Sequence, residues 1–189
     1  SSDVCSSDLV YENYEGGSAK LDLCIELIQS AVESGHKILL FSQFTSMIEI
    51  LTARLQEESI SCFVLQGSTK KEQRAQMVEQ FNRDDTSVFC ISLKAGGTGL
   101  NLTGADIVIH YDPWWNVAVE NQATDRAHRI GQKNVVTVYK LIAKGTIEEK
   151  IIKLQQMKKE LAEEILSGDE IKTASFQREE LLELLEERF

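Results

Sequence analysis

Apolar residues along this chain follow two alternating patterns. Helical spacing begins after Ser18, where apolar side chains recur every three or four positions until Gly35, a residue type that commonly ends helices. Short unbroken apolar runs come next, and these are typical of strands buried on both faces. The runs predict strands at residues 37–42, 62–65, 88–92, 107–111 and 135–142.

Helix-forming segments separate the predicted strands. Ser or Thr followed three residues later by Glu is a capping box, in which each side chain satisfies a backbone N–H of the first helical turn. Such boxes predict helix starts at Ser46, Thr69 and Thr146. A further helix is expected over Asn116–Ile130, between the last two strands.

This alternation predicts an α/β fold with a doubly wound parallel sheet over residues 18–145. Residues 1–17 show no useful period and are interpreted as a disordered or non-native leader, and residues 146–189 as a C-terminal extension. Doubly wound sheets bind ligands beyond the carboxyl ends of their strands. The loops there contain the sequences FSQF (41–44), QGST (66–69), KAGGTGLNL (94–102) and DPWWN (112–116).

Composition and charge narrow the class of protein. Apolar residues make up 42% of the 189 positions, which is enough for a core, and no apolar run approaches the roughly 18–20 residues that span a bilayer. Four scattered cysteines suggest neither a zinc site nor a disulfide framework, so no metal ligands are predicted. The net charge of −10 hides a basic stretch. Residues 122–159 carry nine Lys or Arg against three Asp or Glu, whereas residues 160–189 carry three against ten.

The glycine-rich segment 94–102 follows the third predicted strand. Its glycines allow backbone amides to approach an anion closely. The segment is not a Walker A loop, because no Lys-Ser/Thr follows the last glycine, and it lacks the third glycine of a dinucleotide fingerprint. On the glycines alone, an anion-binding loop and an ordinary strand-to-helix turn both stay open.

The segment QATDRAHRIGQ (122–132) carries a sharper signal. On the expected helix, Gln122, Arg126 and Arg129 fall on one side, beside the buried apolar stripe. Two guanidinium groups one turn apart can hold a phosphate bidentately. An isolated arginine pair more commonly belongs to a solvent-exposed helix face. The pair alone therefore does not distinguish a phosphate-binding site from such a face.

Together these five segments resemble motifs four to six of the Swi/Snf-type helicase-like ATPases, a branch of superfamily two, in order and spacing. The resemblance runs from Ser18 to about Leu166, with a departure at Val117, where family members usually have proline. It implies a RecA-like, P-loop-NTPase-like lobe. Because the sequence contains neither a Walker A loop nor a strand-linked Asp-Glu magnesium motif, it is similar to the second of the family's two lobes.

The resemblance also implies a role for each matching residue. Arg126 and Arg129 match the arginine fingers that reach the terminal phosphate of ATP held by the other lobe, and Gln122 would help couple ATP to lobe closure. The implied nucleotide-binding residues are Gly97, Gly99 and Asn101. The implied DNA-binding residues are Gln43, Ser68, Thr69, Ser92, Lys94, Ala95, Gly96, Trp114 and Trp115.

The function that the resemblance implies is the second motor lobe of an ATP-dependent double-stranded DNA translocase, inactive by itself. ATP with Mg²⁺ would be held mainly by the first lobe. The expected partners are double-stranded DNA and the N-terminal RecA-like lobe of the same protein, without a membrane. A chromatin remodeller, a bacterial RNA polymerase-recycling factor, a DNA-repair factor and a non-catalytic nucleotide or interaction module stay open, with RNA polymerase or another DNA-bound protein as a further partner. The expected location is the bacterial cytoplasm at the nucleoid, or the nucleus in a eukaryote.

The extension is expected to form a brace helix over residues 146–165 that leaves the lobe and packs toward the first one. Its apolar stripe runs from Ile147 to Ile165 and needs a partner surface. The leucines at 181–185 of the acidic tail (Leu181, Leu182, Leu184 and Leu185) are a candidate cover for that stripe.

Overall fold

A computed structural model places a parallel β-sheet between two layers of helices. It describes residues 17–93, 95, 100–114, 116–128, 132 and 134–167, with side chains as far as 160. The helices are α1 (Ala19–Glu33), α2 (Thr45–Glu57), α3 (Lys71–Arg83), α4 (Val117–Thr124) and α5 (Ile147–Ser167). The strands are β1 (Ile38–Ser42), β2 (Cys62–Leu65), β3 (Val88–Ser92), β4 (Ile107–His110) and β5 (Thr137–Lys140).

The strand order is β2-β3-β1-β4-β5, and every neighbouring pair is parallel. Leu40 of β1 lies opposite Cys90 of β3 on one side and opposite Ile109 of β4 on the other. The connection from β3 to β4 passes over β1, so β1 occupies the centre of the sheet. The predicted doubly wound parallel sheet is confirmed.

Each face of the sheet has its own apolar core. On one face α1 and α2 contribute fully buried residues such as Ile28 and Leu51. On the other face α3 packs through Phe81, whose ring centroid lies 5.3 Å from that of Phe89 on β3. Strands β1, β3 and β4 are buried along their whole lengths, as their unbroken apolar runs predict.

The last strand differs from its prediction. It covers Thr137–Lys140 rather than 135–142, lies at the edge of the sheet and is exposed at all four residues. Val135, just before it, is 89% exposed. An apolar run does not reveal whether a strand will be central or at the edge, because that depends on the order of strands in the sheet.

Two of the three predicted capping boxes are wrong. Neither α2 nor α3 has a side-chain hydrogen bond at its N-cap, so Ser46 and Thr69 do not cap them. The Thr69 hydroxyl accepts instead from the N–H of Gln66 at 3.1 Å and closes the turn before α3. At the start of α5 the Thr146 hydroxyl does accept from the N–H of Glu148, at 3.2 Å.

The first turns of α5 lie on the lobe instead of leaving it as expected. Ile151 is buried and Gln155 contacts α4, whereas Ile147, a member of the predicted apolar stripe, is 52% exposed. The side chains of the stripe beyond residue 160, and the leucines at 181–185, lie outside the described residues. Within the described part of the chain, no helix is long and apolar enough to cross a membrane.

Candidate nucleotide and nucleic-acid interface

The loops that carry the predicted motifs all lie at the carboxyl ends of the strands, because all the strands of this sheet run in the same direction. FSQF and DPWWN follow the adjacent strands β1 and β4. QGST follows β2, three strand positions from β4 and therefore about 14 Å away. The topology thus brings segments 70 residues apart in sequence into one candidate interface.

Asp112 joins two of these motifs. Its carboxylate accepts from the Ser42 hydroxyl at 2.8 Å and from the N–H of Gln43 at 2.7 Å. Burial raises the pKa of the Asp112 carboxyl, and the hydrogen bonds from Gln43 and Ser42 oppose that shift. The sequence reasoning named Gln43 but missed Asp112 and Ser42. The available signal was that each is a polar residue at the end of a buried strand.

The QGST loop is held by Arg74, which the sequence reasoning also missed. Arg74 Nε donates to the Thr69 carbonyl at 2.8 Å, and a terminal nitrogen donates to the Gly67 carbonyl at 3.0 Å. With the loop carbonyls turned toward Arg74, the side chain of Ser68 is exposed and that of Thr69 is half-buried. Ser68 is therefore placed where it could meet a DNA backbone.

Ser92 and Ala95, two of the predicted DNA-binding residues, are buried, so neither offers an exposed side chain to DNA. The Ser92 hydroxyl accepts from the N–H of Ala95 at 3.3 Å. These side chains shape the start of the glycine-rich loop because the chain must turn immediately after β3. The other predicted residues of this loop, Lys94, Gly96, Gly97 and Gly99, lie outside the described residues.

Asn101 is exposed at the far end of the same loop, and its carbonyl accepts from the Asn82 side chain at 2.8 Å. The Asn82 carboxamide oxygen in turn accepts from the N–H of Gly104 at 2.9 Å. A Cβ at Gly104 would lie 3.1 Å from the Asn82 Cα, so this close approach requires glycine. Asn101 is thus fixed by its main chain, and its side chain faces solvent.

The segment with Gln122 and Arg126 departs from the single long helix that was expected. The α4 helix ends at Thr124, and tight turns follow it. The N–H of Arg126 donates to the Ala123 carbonyl at 3.3 Å, three residues back instead of the four of an α-helix, and the Arg126 carbonyl accepts from the N–H of Leu102 at 3.0 Å. Gln122 is exposed on α4, as predicted.

Arg126 itself is buried, with 1% exposed, rather than standing beside the buried stripe. The difference arises because α4 ends early. The turns that follow it point the Arg126 side chain in another direction than a continuous helix would. Its predicted partner Arg129 lies outside the described residues. Truncating Arg126 is therefore expected to affect the fold as well as any role in catalysis.

Gln132 fastens the end of this segment to the loop before β4. Its side-chain amide donates to the Ala105 carbonyl at 2.6 Å and to the Thr103 carbonyl at 3.2 Å. Together with the bond from Leu102 to Arg126, these contacts tie the 122–132 segment to residues 101–105. Two motifs that the resemblance assigns to ATP thus form one connected unit.

The DPWWN segment rests on a buried acidic residue, Glu120 of α4. Trp114 is half-buried against the core that contains Phe81 and Phe89. Its backbone N–H donates to the Glu120 carboxylate at 2.7 Å. The other carboxylate oxygen accepts from Lys140 at the end of β5. The predicted residue Trp115 lies outside the described residues. Glu120 is a further residue that the sequence reasoning missed.

His110 is a buried titratable group at the end of β4. Its ring stacks on Phe41 with centroids 5.5 Å apart, and its Nε2 lies 3.1 Å from the Thr124 hydroxyl. Burial lowers the pKa of His110 to about 4, an effect that Glu120 opposes and Lys140 reinforces. The imidazole is therefore neutral in the folded protein at neutral pH.

This histidine should make stability depend on pH. Below its ordinary pKa of 6.5 the unfolded chain binds a proton, whereas the folded chain does so only near 4. The free energy of unfolding should therefore fall by up to about 3 kcal/mol as the pH is lowered from 6.5 to about 4. Urea unfolding of His110→Phe should show a flatter pH dependence than wild type, and the exposed control His128→Gln should not. Parallel curves for wild type and His110→Phe would contradict this assignment.

Comparison with known proteins places this geometry in a family. Residues 19–131 match the helicase conserved C-terminal domain, and the chain belongs to that family. An uncharacterized ATP-dependent helicase of Mycoplasma pneumoniae is 47% identical over 97% of this chain and 18% of its own length. The human chromatin-remodeling ATPase INO80 is 43% identical over 89% of this chain and 11% of its own length.

A solved structure shows the same architecture. The C-terminal part of the Fun30 ATPase domain superposes with a TM-score of 0.71 at 37% identity, over 76% of this chain and 47% of that one. The Swi/Snf-type resemblance and the RecA-like fold class are thereby confirmed. The chain spans less than a fifth of the length of the two curated relatives.

Proposed function

We propose that this chain is the second motor lobe of an ATP-dependent double-stranded DNA translocase of the Swi/Snf type. The observation that carries the proposal is the gathering of FSQF, QGST and DPWWN at the carboxyl ends of the parallel strands, together with the connected unit of residues 101–105 and 122–132. The proposed partners are double-stranded DNA and a first RecA-like lobe that holds ATP and Mg²⁺. Such a protein works at a bacterial nucleoid or in a nucleus.

On the nucleotide side, the lobe would act by delivering arginine side chains. Phosphoryl transfer needs mainly positioning and charge neutralisation, so a moving lobe that brings a guanidinium to the phosphate is a switch. Arg129 is the proposed finger, and Gln122 is exposed on the same unit. Arg126 is buried in this structure, so its guanidinium would reach a phosphate only if its side chain moved out of the lobe.

On the DNA side, the lobe would hold phosphates without reading bases. Ser68 offers an exposed hydroxyl, and Gln43 has a main chain fixed by Asp112. Hydroxyl, amide and backbone N–H groups bind phosphate oxygens in this sequence-independent way. Exposed lysines of the basic stretch, among them Lys144 and Lys153, would add long-range attraction.

The chain should therefore bind duplex DNA weakly and without sequence preference. With about 2–4 phosphate contacts, the log-log slope of affinity against salt should be about −2 to −4. Fluorescence anisotropy titrations with two unrelated duplexes will measure both properties. Ser68→Asp should weaken binding, because it places a negative charge at the proposed backbone contact.

The matched control for that charge is Ser34→Asp, at the exposed C-cap of α1. This position precedes β1 and so lies toward the amino-terminal ends of the strands, away from the proposed DNA surface. It adds the same charge and should leave affinity close to wild type. Equal losses in the two variants, a clear preference for one duplex, or affinity independent of salt would each count against the proposed DNA surface.

A further inference from the structure

The main chain of Trp114 is held from both sides by two helices. Its N–H donates to Glu120 Oε1 on α4 at 2.7 Å, and its carbonyl accepts from the side-chain amide of Gln155 on α5. The same amide donates to Glu120 Oε1 at 3.1 Å. We call these three residues the Trp114 clamp. Glu120 is 1% exposed and Gln155 6%, so the two side chains that hold Trp114 are themselves shielded from solvent.

The helix that carries Gln155 is also anchored at its start. Glu148 accepts from Lys20 of α1 at 2.6 and 2.7 Å and from the N–H of Ala143 at 2.8 Å. Glu148 and Gln155 are seven positions apart, which is about two helical turns, so they share one face of α5. That face is therefore fixed to the lobe at two points, and the second point is the DPWWN segment.

The clamp leads directly to the residues proposed to act on ATP. Helix α4 begins just after the DPWWN segment, where the Asn116 side chain accepts from the N–H of Ala118 at 3.0 Å. Gln122 lies on α4, and Arg126 follows in the turns beyond it. A displacement of Trp114 relative to α5 would therefore change the position of α4 and of everything attached to it.

We propose that Gln155 is a positioning residue that fixes the DPWWN segment to α5 and so sets the orientation of the segment 122–132 for ATP hydrolysis. The catalytic part rests on the proposed function, whereas the structural part does not. A partly buried carbonyl that loses its donor must find another partner or water, so the segment will move once the amide is removed. α5 thereby acts on the site without contacting ATP.

The test compares Gln155→Met with Gln156→Met in this 189-residue chain. Methionine keeps the length of the side chain and removes the amide. Gln156 is the exposed neighbour whose amide donates to Glu160 at 2.8 Å, away from the clamp. The two tryptophans of the sequence are Trp114 and Trp115, so tryptophan emission reports this segment. Gln155→Met should red-shift the emission and increase its quenching by acrylamide, and Gln156→Met should do neither.

The second measurement uses the protein that carries both lobes. Gln155→Met should lower the kcat of DNA-stimulated ATP turnover by roughly 10- to 100-fold, because a small misplacement of catalytic groups has effects of that size, and leave KM for ATP near wild type. Gln155→Glu keeps the size of the side chain but loses the amide donor, so it should act in the same direction. A folded Gln155 variant is identified by a cooperative thermal transition.

Each outcome decides the proposal. Emission and quenching identical to those of Gln156→Met would overturn the clamp, and a shifted emission with unchanged kcat would overturn its catalytic part. If wild type with both lobes shows no DNA-stimulated turnover, the proposed function fails, and the emission comparison still decides whether Gln155 positions the segment.

Discussion

Arg129→Lys should reduce DNA-stimulated ATP turnover of the two-lobed protein by about 10³-fold or more, the usual size of an arginine-finger contribution. Lysine keeps the charge but lacks the planar fork that holds two phosphate oxygens at once. Binding of ATP and of DNA should change much less, because the finger acts mainly on the transition state. Steady-state kcat and KM, with nucleotide affinity measured separately, distinguish these effects.

Two further variants complete that experiment. Arg83→Lys makes the same change at an exposed arginine of α3 and should leave turnover unchanged. Arg126→Ala should lower turnover and also destabilise the fold, because it removes a fully buried side chain. Near-normal turnover of Arg129→Lys, or a loss explained by an unfolded variant, would remove the support for the finger assignment.

Glu120→Ala should lower the free energy of unfolding by about 1–3 kcal/mol, the cost of leaving hydrogen-bond donors inside a protein without their acceptor. The carboxylate accepts from Trp114 and Gln155 and pairs with Lys140, so alanine leaves two buried donors without this acceptor. Urea unfolding at neutral pH measures the change. Glu49→Ala, at an exposed position of α2, should shift stability by no more than about 0.5 kcal/mol.

A loss below about 1 kcal/mol in Glu120→Ala would mean that the buried network contributes little beyond ordinary surface contacts. Glu120→Gln separates charge from hydrogen bonding in the same assay. It keeps an acceptor for Trp114 and loses the charge that faces Lys140, so its destabilisation should be smaller than that of alanine.

The central sheet was predictable because its signal is local. Strands β1 and β3 are apolar at nearly every position, and burial on both faces selects that composition. The run 135–142 that predicted the last strand is also mainly apolar, but β5 is exposed because it lies at the edge of the sheet, a position that depends on the order of all the strands. The early end of α4 was not predictable either, because the turns that follow it are tied to a different loop through the bond from Leu102 to Arg126.

The candidate site divides in the same way. Its motif segments could be recognised in the sequence as short runs of characteristic residues, whereas the residues that hold these segments in place could not. Asp112 and its partner Ser42 are 70 positions apart, and Glu120 and Gln155 are 35 apart. In the sequence, Asp112 and Glu120 cannot be distinguished from acidic residues exposed to solvent. Only the fold brings their hydrogen-bond donors, which are distant in sequence, next to them. Sequence therefore located the loops, and only the structure revealed their supports.

The central claim is that this chain contributes to ATP hydrolysis only as one of two lobes. The most direct measurement is ATP turnover, with and without duplex DNA, by the 189-residue chain and by the protein that also carries the first lobe. We expect no turnover by the chain alone and turnover stimulated by DNA when both lobes are present, because the sequence contains no Walker A loop. Robust turnover by the chain alone, or a two-lobed protein indifferent to DNA, would contradict the account.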